Sequence, residues 1–361
     1  MKTIEQLTGI TVTLVLATLL CACGEQTPQG AAQPGGAVAP DQGLVLKGAG
    51  STFIAPLLTK WIEAYRRTDP GVAFTYDAVG SGEGVKRFLA GTVDFGATDA
   101  ALNDKELAQV NPQRGAVTIP MTAGMVVLAY NVPGITGGLA LARDVYLDIF
   151  AGRIRTWNDP RIGATNPGRQ LPATAVVPVV RRDSSGTTFI MTNHLGAADP
   201  WWATQGPGVG KLVDWPGAMT AVGNEGVAQR VKITTGAIGY MGYEFAARLG
   251  LPVATLQNKA GTMVTPNPQD AQLALASVGD EVPADLRLFV PDPGGTGSYP
   301  IVGYTWILLD AHHADPAKAQ ALKEALGWGL GEGQSLAAAL GYVPLPPAIV
   351  AKARAALAAV R

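Results

Sequence analysis

The chain has 361 residues, more than one ordinary core accommodates, and 47% of them are apolar, so a disordered composition is excluded and two lobes or domains are expected. Its formal net charge is −1 with no basic block anywhere, which excludes the electrostatic footprint of a nucleic-acid binder. The 45 Gly and 26 Pro divide it into many short elements joined by turns.

Lys2 followed by the apolar run 7–20 reads as an export signal, too short to favour a spanning helix. Leu20-Cys21-Ala22-Cys23-Gly24 has a Leu-x-small-Cys pattern that resembles a bacterial lipoprotein signal, in which residues 1–22 are removed and Cys23 receives lipid. The alternative is an ordinary signal peptide with incidental cysteines. Cleavage before Cys23 also removes Cys21, leaving no pair for an intrachain disulfide. Residues 23–43, rich in Gln, Pro, Gly and Ala, read as a flexible tether, and the folded part starts near Leu44.

A short strand at 44–46 leads into the Gly-rich turn Gly48-Ala49-Gly50-Ser51-Thr52-Phe53. Apolar residues at Ile54, Leu57, Leu58, Trp61, Ile62 and Tyr65 then predict a helix, capped by Ser51 or Thr52, with Pro56 in its first turn. A strand at 73–79 precedes Gly80-Ser81-Gly82-Glu83-Gly84 and a helix bearing Val85, Phe88 and Leu89. A further strand from Val93 ends in Thr98 and Asp99, where the carboxylate either caps the next helix or faces a ligand. Beyond it come a strand at 125–130, a helix through Leu141, Val145 and Ile149, and a turn-rich stretch, 157–172, expected at the surface. The later elements are a strand at 175–180, helices near 186–194 and 224–232, a strand at 237–241 and a helix at 243–249. A loop-rich region at 266–293 separates these from a strand at 301–309 and helices at 316–330, capped by Asp315, and 347–360. Strands alternating with helices predict an α/β fold with a largely parallel sheet and a ligand beyond the carboxyl ends of the strands.

Arg181-Arg182-Asp183-Ser184-Ser185-Gly186-Thr187-Thr188-Phe189 carries the strongest chemical signal. A buried strand delivers Arg181, Ser185 stands at a helix N-cap, and Gly186 admits close approach of the backbone. Free N–H groups, the positive end of the helix dipole and a guanidinium suit an oxyanion; the bland alternative is a capped helix and nothing more. Gly206-Pro207-Gly208-Val209-Gly210-Lys211 fails as a phosphate loop, because Gln205 and Leu212 stand where Gly and Ser or Thr are needed. The histidines, His194, His312 and His313, are remote in sequence from the Gly-rich turns, and metal-ligand spacing is absent.

Taken together, the turns at 48–53, 80–86 and 93–99 and the motif Arg181-x-Asp183-x-Ser185-Gly186-Thr187 resemble the phosphate-binding lipoproteins of the bacterial high-affinity phosphate ABC transporter. Further likeness lies in 124–131, 149–159, Gly236-Ala237-Ile238-Gly239-Tyr240 and Tyr299-Pro300-Ile301, so that the resemblance runs from Leu44 nearly to the C-terminus. It implies a periplasmic-binding-protein fold of two α/β lobes joined by crossing strands, with 44–120 and 299–361 in the first lobe and 121–298 in the second. It implies a phosphate set of Thr52, Phe53, Ser81, Asp99, Arg181, Ser185, Gly186 and Thr187, with Asp183 orienting Arg181 and no cofactor, metal or catalytic residue. The implied partners are inorganic phosphate, ABC-transporter permease subunits and the extracytoplasmic face of a membrane reached through Cys23, for a monomer that does not bind nucleic acid. Glu83 stands where the family commonly has Gly, and is expected to turn its charge to solvent. A receptor for sulfate or molybdate, or a phosphatase using Ser185 or Ser51 as nucleophile, are the competing readings. Asp99 argues against the former, since a carboxylate helps only a protonated ligand; the distance of the histidines argues against the latter.

Overall fold

The structure is a computed structural model that describes residues 43–277 and 282–361. The expected leader, nearly all of the tether, and Cys23 lie outside the described residues. The chain begins with β1 (Leu44–Gly50), α1 (Ala55–Tyr65), β2 (Val72–Asp77), α2 (Ser81–Leu89), β3 (Phe95–Thr98) and α3 (Asp104–Leu107). Helix α1 forms as its apolar spacing predicts, burying Leu57, Leu58, Trp61 and Tyr65, with proline in the first turn. Then come β4 (Val117–Asn131), β5 (Ala140–Leu141), α4 (Arg143–Phe150), α5 (Pro160–Ala164), β6 (Val177–Arg181), α6 (Gly186–Ala198) and α7 (Pro200–Thr204). The remainder comprises β7 (Met219–Ala221), α8 (Gly223–Ile233), β8 (Ala237–Gly242), α9 (Tyr243–Leu249), β9 (Thr255–Gln257), β10 (Met263–Val264), α10 (Pro268–Ala276), β11 (Val302–Leu309), α11 (Pro316–Gly329), α12 (Gly333–Ala339) and α13 (Pro347–Ala358).

Eight strands form one sheet in the order β2-β1-β3-β11-β4-β8-β6-β7, and β10-β9-β5 form a small second sheet. The pairings among β2, β1 and β3 and among β8, β6 and β7 are parallel, whereas β11 and β4 run antiparallel to their neighbours, so the sheet is mixed rather than largely parallel. Strand β4 joins the two parallel sets. Its first part, Val117 to Met125, pairs with β11, and its second, Val126 to Asn131, pairs with β8. All eight residues of β11 and all six of β8 are buried, as expected of strands covered on both faces. Helix α2 packs on β1 and β3, α8 on β8 and β6, and α13 on β4.

Several local expectations are overturned. Strand β4 is 15 residues long, not six, because Pro120, which lacks the N–H a ladder needs, is accommodated where the β11 register shifts between Thr305 and Trp306. The stretch 157–172 does run over the surface, as expected, but it carries the short helix α5 and is pinned to the core: Trp157 is fully buried, its indole N–H donates to the Gly236 carbonyl at 2.9 Å, and Asn166 is buried beside Ala140. Helix α10 occupies part of the region expected to be loops, with Asn267 as its N-cap and a proline in its first turn. Neither Ser51 nor Thr52 caps α1, whose N-cap is Ile54 without a side-chain bond. Asp315 does cap α11, accepting from the N–H groups of Ala317 and Lys318 at 2.9 and 3.3 Å.

Candidate functional site

The carboxyl ends of β1, β3 and β6 and the starts of α2, α6 and α8 converge on a cluster of buried polar side chains. Strand β3 delivers Asp99, which is 2% exposed. It does not cap α3, a role taken by Asn103 in a reciprocal capping box with Glu106. Instead the Ser51 hydroxyl donates to both Asp99 oxygens at 2.6 and 2.7 Å, and Thr305 of β11 donates to Oδ1 at 2.7 Å. Beyond its share of the Ser51 proton, Oδ2 receives only a long contact of 3.5 Å from Ser81, whose Oγ accepts from the Asp99 N–H at 3.2 Å. Oδ1 is therefore saturated and Oδ2 is the more open acceptor. Burial pushes the Asp99 carboxyl up to about 6, against the downward pull of Ser51, Thr305, the Arg181 charge and Ser81.

On the facing wall, β6 ends at Arg181, 3% exposed, and α6 starts at Gly186. Arg181 grips Asp183 as a fork: Nε donates to Oδ1 at 2.8 Å and Nη2 donates to Oδ2. Burial raises the Asp183 carboxyl, but the bonds and charge of Arg181 and the N–H of Gly223 outweigh it and hold the group below the usual aspartate value. The Ser185 hydroxyl caps α6 as its spacing predicts, accepting from the Thr188 N–H at 3.1 Å. The N–H groups of Gly186 and Thr187 precede the first intrahelical bond, from Phe189 to the Ser185 carbonyl, and remain available at the positive end of the helix.

The two walls touch. A Cβ on Gly186 would meet Ser81 Oγ at 2.5 Å and Asp99 Oδ2 at 2.6 Å, so only glycine lets α6 come this close to Asp99. Gly82 N–H donates to the Ser184 carbonyl at 2.9 Å. The Lys211 carbonyl accepts from the Ser185 N–H at 2.7 Å while the Lys211 ammonium pairs with Glu106 on the opposite wall, and Arg287 pairs with Asp104 at 2.6 Å. Of the residues expected at the site, Ser81, Asp99, Arg181, Asp183, Ser185, Gly186 and Thr187 gather here, and Thr52 joins them through Asn224. Phe53 packs its ring edge-on against Tyr342, and its N–H is engaged by Ser51 Oγ at 3.0 Å. Glu83 turns outward, bonded to Arg87 at 3.0 Å, as its charge requires.

A profile of the PBP superfamily domain matches residues 25–328. The phosphate-binding protein PstS of Pasteurella multocida is 36% identical over 315 residues, spanning 87% of this chain and 90% of that protein. The chain belongs to the PstS family of the PBP superfamily. A PstS of Methanocaldococcus jannaschii is 36% identical over 326 residues, 84% of this chain and 83% of that one. The solved structure of a high-affinity periplasmic phosphate-binding protein bound with phosphate matches with a TM-score of 0.72 at 25% identity, over 86% of this chain and 93% of that one. The phosphate-binding protein of Stenotrophomonas maltophilia matches with a TM-score of 0.69 at 20% identity, over 86% and 93%. The fold is thus the expected α/β periplasmic-binding-protein fold, in which β4 crosses from β11 to β8.

Three further residues complete the buried polar cluster. Ser51 and Thr305 hold Asp99, and Asn224, fully buried, joins the walls by donating to Thr52 Oγ1 and Thr187 Oγ1, each at 3.0 Å. Thr305 lies 206 residues from Asp99 and has no local signal; Asn224 follows Gly223 at a helix start, the same strand, glycine and polar-residue device seen at the other turns. His194 is committed elsewhere, with Nε2 on the Tyr146 hydroxyl at 2.9 Å and Nδ1 on the Pro291 carbonyl at 3.0 Å; burial lowers it to about 4 and keeps it neutral. Among the described residues no group of three His, Cys, Asp or Glu side chains is placed to hold a metal, and no helix is long and apolar enough to cross a membrane.

Proposed function

We propose that this chain captures inorganic phosphate between the two walls by hydrogen bonds alone and delivers it to the permease subunits of an ABC transporter. The donor and acceptor balance carries this reading: one open carboxylate oxygen faces helix N–H groups, hydroxyls and a buried guanidinium. Phosphate near neutral pH keeps a proton, which Asp99 Oδ2 accepts, while its other oxygens take donors from Thr52, Ser81, Arg181, Ser185, Gly186 and Thr187, and from the Phe53 N–H as a bond shared with Ser51 Oγ. Asp183 orients Arg181. Fully ionised sulfate sets a lone pair against Asp99, a mismatch of several kcal/mol, on the order of 10⁴-fold. Relatives named for phosphate binding, at 36% identity over most of the chain, support the same ligand.

The crossing of β4 from β11 to β8 supports a first lobe of 44–120 with 299–361 and a second of 121–298. Residues 1–22 direct export and Cys23 carries the lipid that tethers a monomer at the extracytoplasmic face. No covalent step is proposed: the Ser51 lone pair takes the Phe53 N–H, and Ser185 takes that of Thr188.

Titration calorimetry of chain stripped of carried-over ligand by unfolding and refolding is expected to give one phosphate per chain. Equal affinity for sulfate, or no heat with phosphate, overturns the reading. Steady product release from a chromogenic phosphate ester, lost in Ser185→Ala, would establish an enzyme instead. Gly186→Ala is expected to weaken phosphate binding about 10²-fold, because its methyl forces Ser81 and Asp99 away from α6 at an overpacking cost of up to about 3 kcal/mol. Unchanged affinity would show that the observed approach of the walls is not the bound arrangement.

A further inference from the structure

Asn224 sits between the walls, and its amide has only one orientation that satisfies its neighbours. The Gly242 N–H, buried at the end of β8, donates to Asn224 Oδ1 at 2.9 Å, which fixes the NH₂ group toward the threonines. That group donates to Thr52 Oγ1 and Thr187 Oγ1 at 3.0 Å each. The Asn224 backbone N–H adds a second donor to Thr52 at 3.2 Å, and Arg181 Nη1 a second, long one to Thr187 at 3.5 Å. A hydroxyl has two acceptor sites and one proton. With both acceptor sites of each threonine occupied by protein donors, neither hydroxyl can turn a lone pair toward the cleft, and each is left with its proton to give.

We infer that Asn224 is a positioning residue for anion binding: it sets the polarity of Thr52 and Thr187, one on each wall, so that both donate to the ligand. The inference rests on the proposed capture of phosphate. Asn224 makes no contact with the anion; it converts two ambivalent hydroxyls into fixed donors before the anion arrives, so that no hydroxyl needs to reorient on binding. The charged groups around it are Arg181 and Asp183 of the same wall, Asp99 of the other, and Glu225 and Glu244 on α8 and α9.

Asn224→Asp separates this role from mere packing, because it is isosteric but puts a carboxylate oxygen where the NH₂ group was. That oxygen competes for the hydroxyl protons. With the full chain in detergent, titrated with inorganic phosphate, the variant is expected to bind at least 10²-fold more weakly than the parent at pH 8. The ratio of parent to variant affinity is expected to shrink at least fivefold on acidification to pH 5, as the introduced acid becomes protonated and donates again. The surrounding charged groups are common to both proteins, which makes the ratio the relevant readout. Asn224→Ala, which removes the donor without adding charge, is expected to lose 10- to 100-fold with no such pH dependence in the ratio. It decides the matter if Asn224→Asp does not fold by circular dichroism. Affinity within threefold of the parent in a folded variant, or a pH-independent ratio for Asn224→Asp, overturns the inference while leaving phosphate capture intact. Absence of phosphate binding by the parent overturns both.

Discussion

Arg181→Met is expected to lower phosphate affinity by about 10³-fold and to destabilise the ligand-free fold by about 3–5 kcal/mol. Both effects follow from burial. Arg181 is the buried cation of the site, and its fork is the principal partner of Asp183, whose side chain is 15% exposed. Without it, Asp183 keeps the N–H of Gly223 at 3.0 Å but no countercharge. A carboxylate left so placed recovers little solvation and repels an arriving anion. Pairing the substitution with Asp183→Asn is expected to restore much of the stability in urea unfolding yet little of the affinity in calorimetry, because the neutral pair folds well but offers the ligand no charge. Phosphate binding within tenfold of the parent by Arg181→Met would remove the guanidinium from the ligand set.

Asp99→Asn is expected to act in opposite directions on stability and selectivity. In the ligand-free protein burial holds the Asp99 carboxyl at about 6, whereas an unfolded aspartate titrates near 3.9. Between about pH 4 and 6 the folded state therefore keeps a proton that the unfolded state has released, and stability falls as pH rises through that window. The displacement of about two units corresponds to a penalty of about 2–3 kcal/mol at pH 7. Asparagine removes the penalty, so the ligand-free variant is expected to melt at higher temperature than the parent at pH 7 and to lose that advantage by pH 4. For binding, the amide can donate where the carboxylate accepted. The phosphate-over-sulfate ratio is expected to fall by about 10³-fold or more, with sulfate gaining as phosphate loses. In the parent the same logic makes sulfate bind more tightly below about pH 6, where a protonated Asp99 becomes a donor. An unchanged ratio, measured by competition, would leave selectivity without its carboxylate.

The parts of the site contiguous in sequence were legible. Arg181, Asp183, Ser185 and Gly186 fall within six residues at one strand-to-helix turn, so strand pattern, cap and charge point together. Asp99 was legible as an acid at a strand end, but whether it capped a helix depended on Asn103 being the better cap. Ser51 was misjudged for the same reason in reverse: a hydroxyl before a helix looks like a cap until a carboxylate brought from β3 claims its proton. Thr305 carried no signal because its role exists only after β11 enters the sheet. In the fold, the α/β alternation is clear from the pattern while the first half of β4 is not, since Pro120 breaks a strand pattern that a bulge at the adjacent Met121 accommodates. Helix α10 was hidden by the density of proline and glycine on both sides of it.

The position of β11 has a consequence for the order in which the molecule can be made. It lies between β3 and β4, yet is synthesised some two hundred residues after β3, so the sheet cannot be completed until nearly the whole chain has been made. Pairings this remote in sequence close slowly and leave strand edges open meanwhile. Thr305 arrives on that same strand, opposite Thr122 and beside Asp99. The carboxylate proposed to distinguish anions thus gains its second short hydroxyl partner only when that late strand joins, and a nascent chain has no finished pocket in which to trap a ligand early.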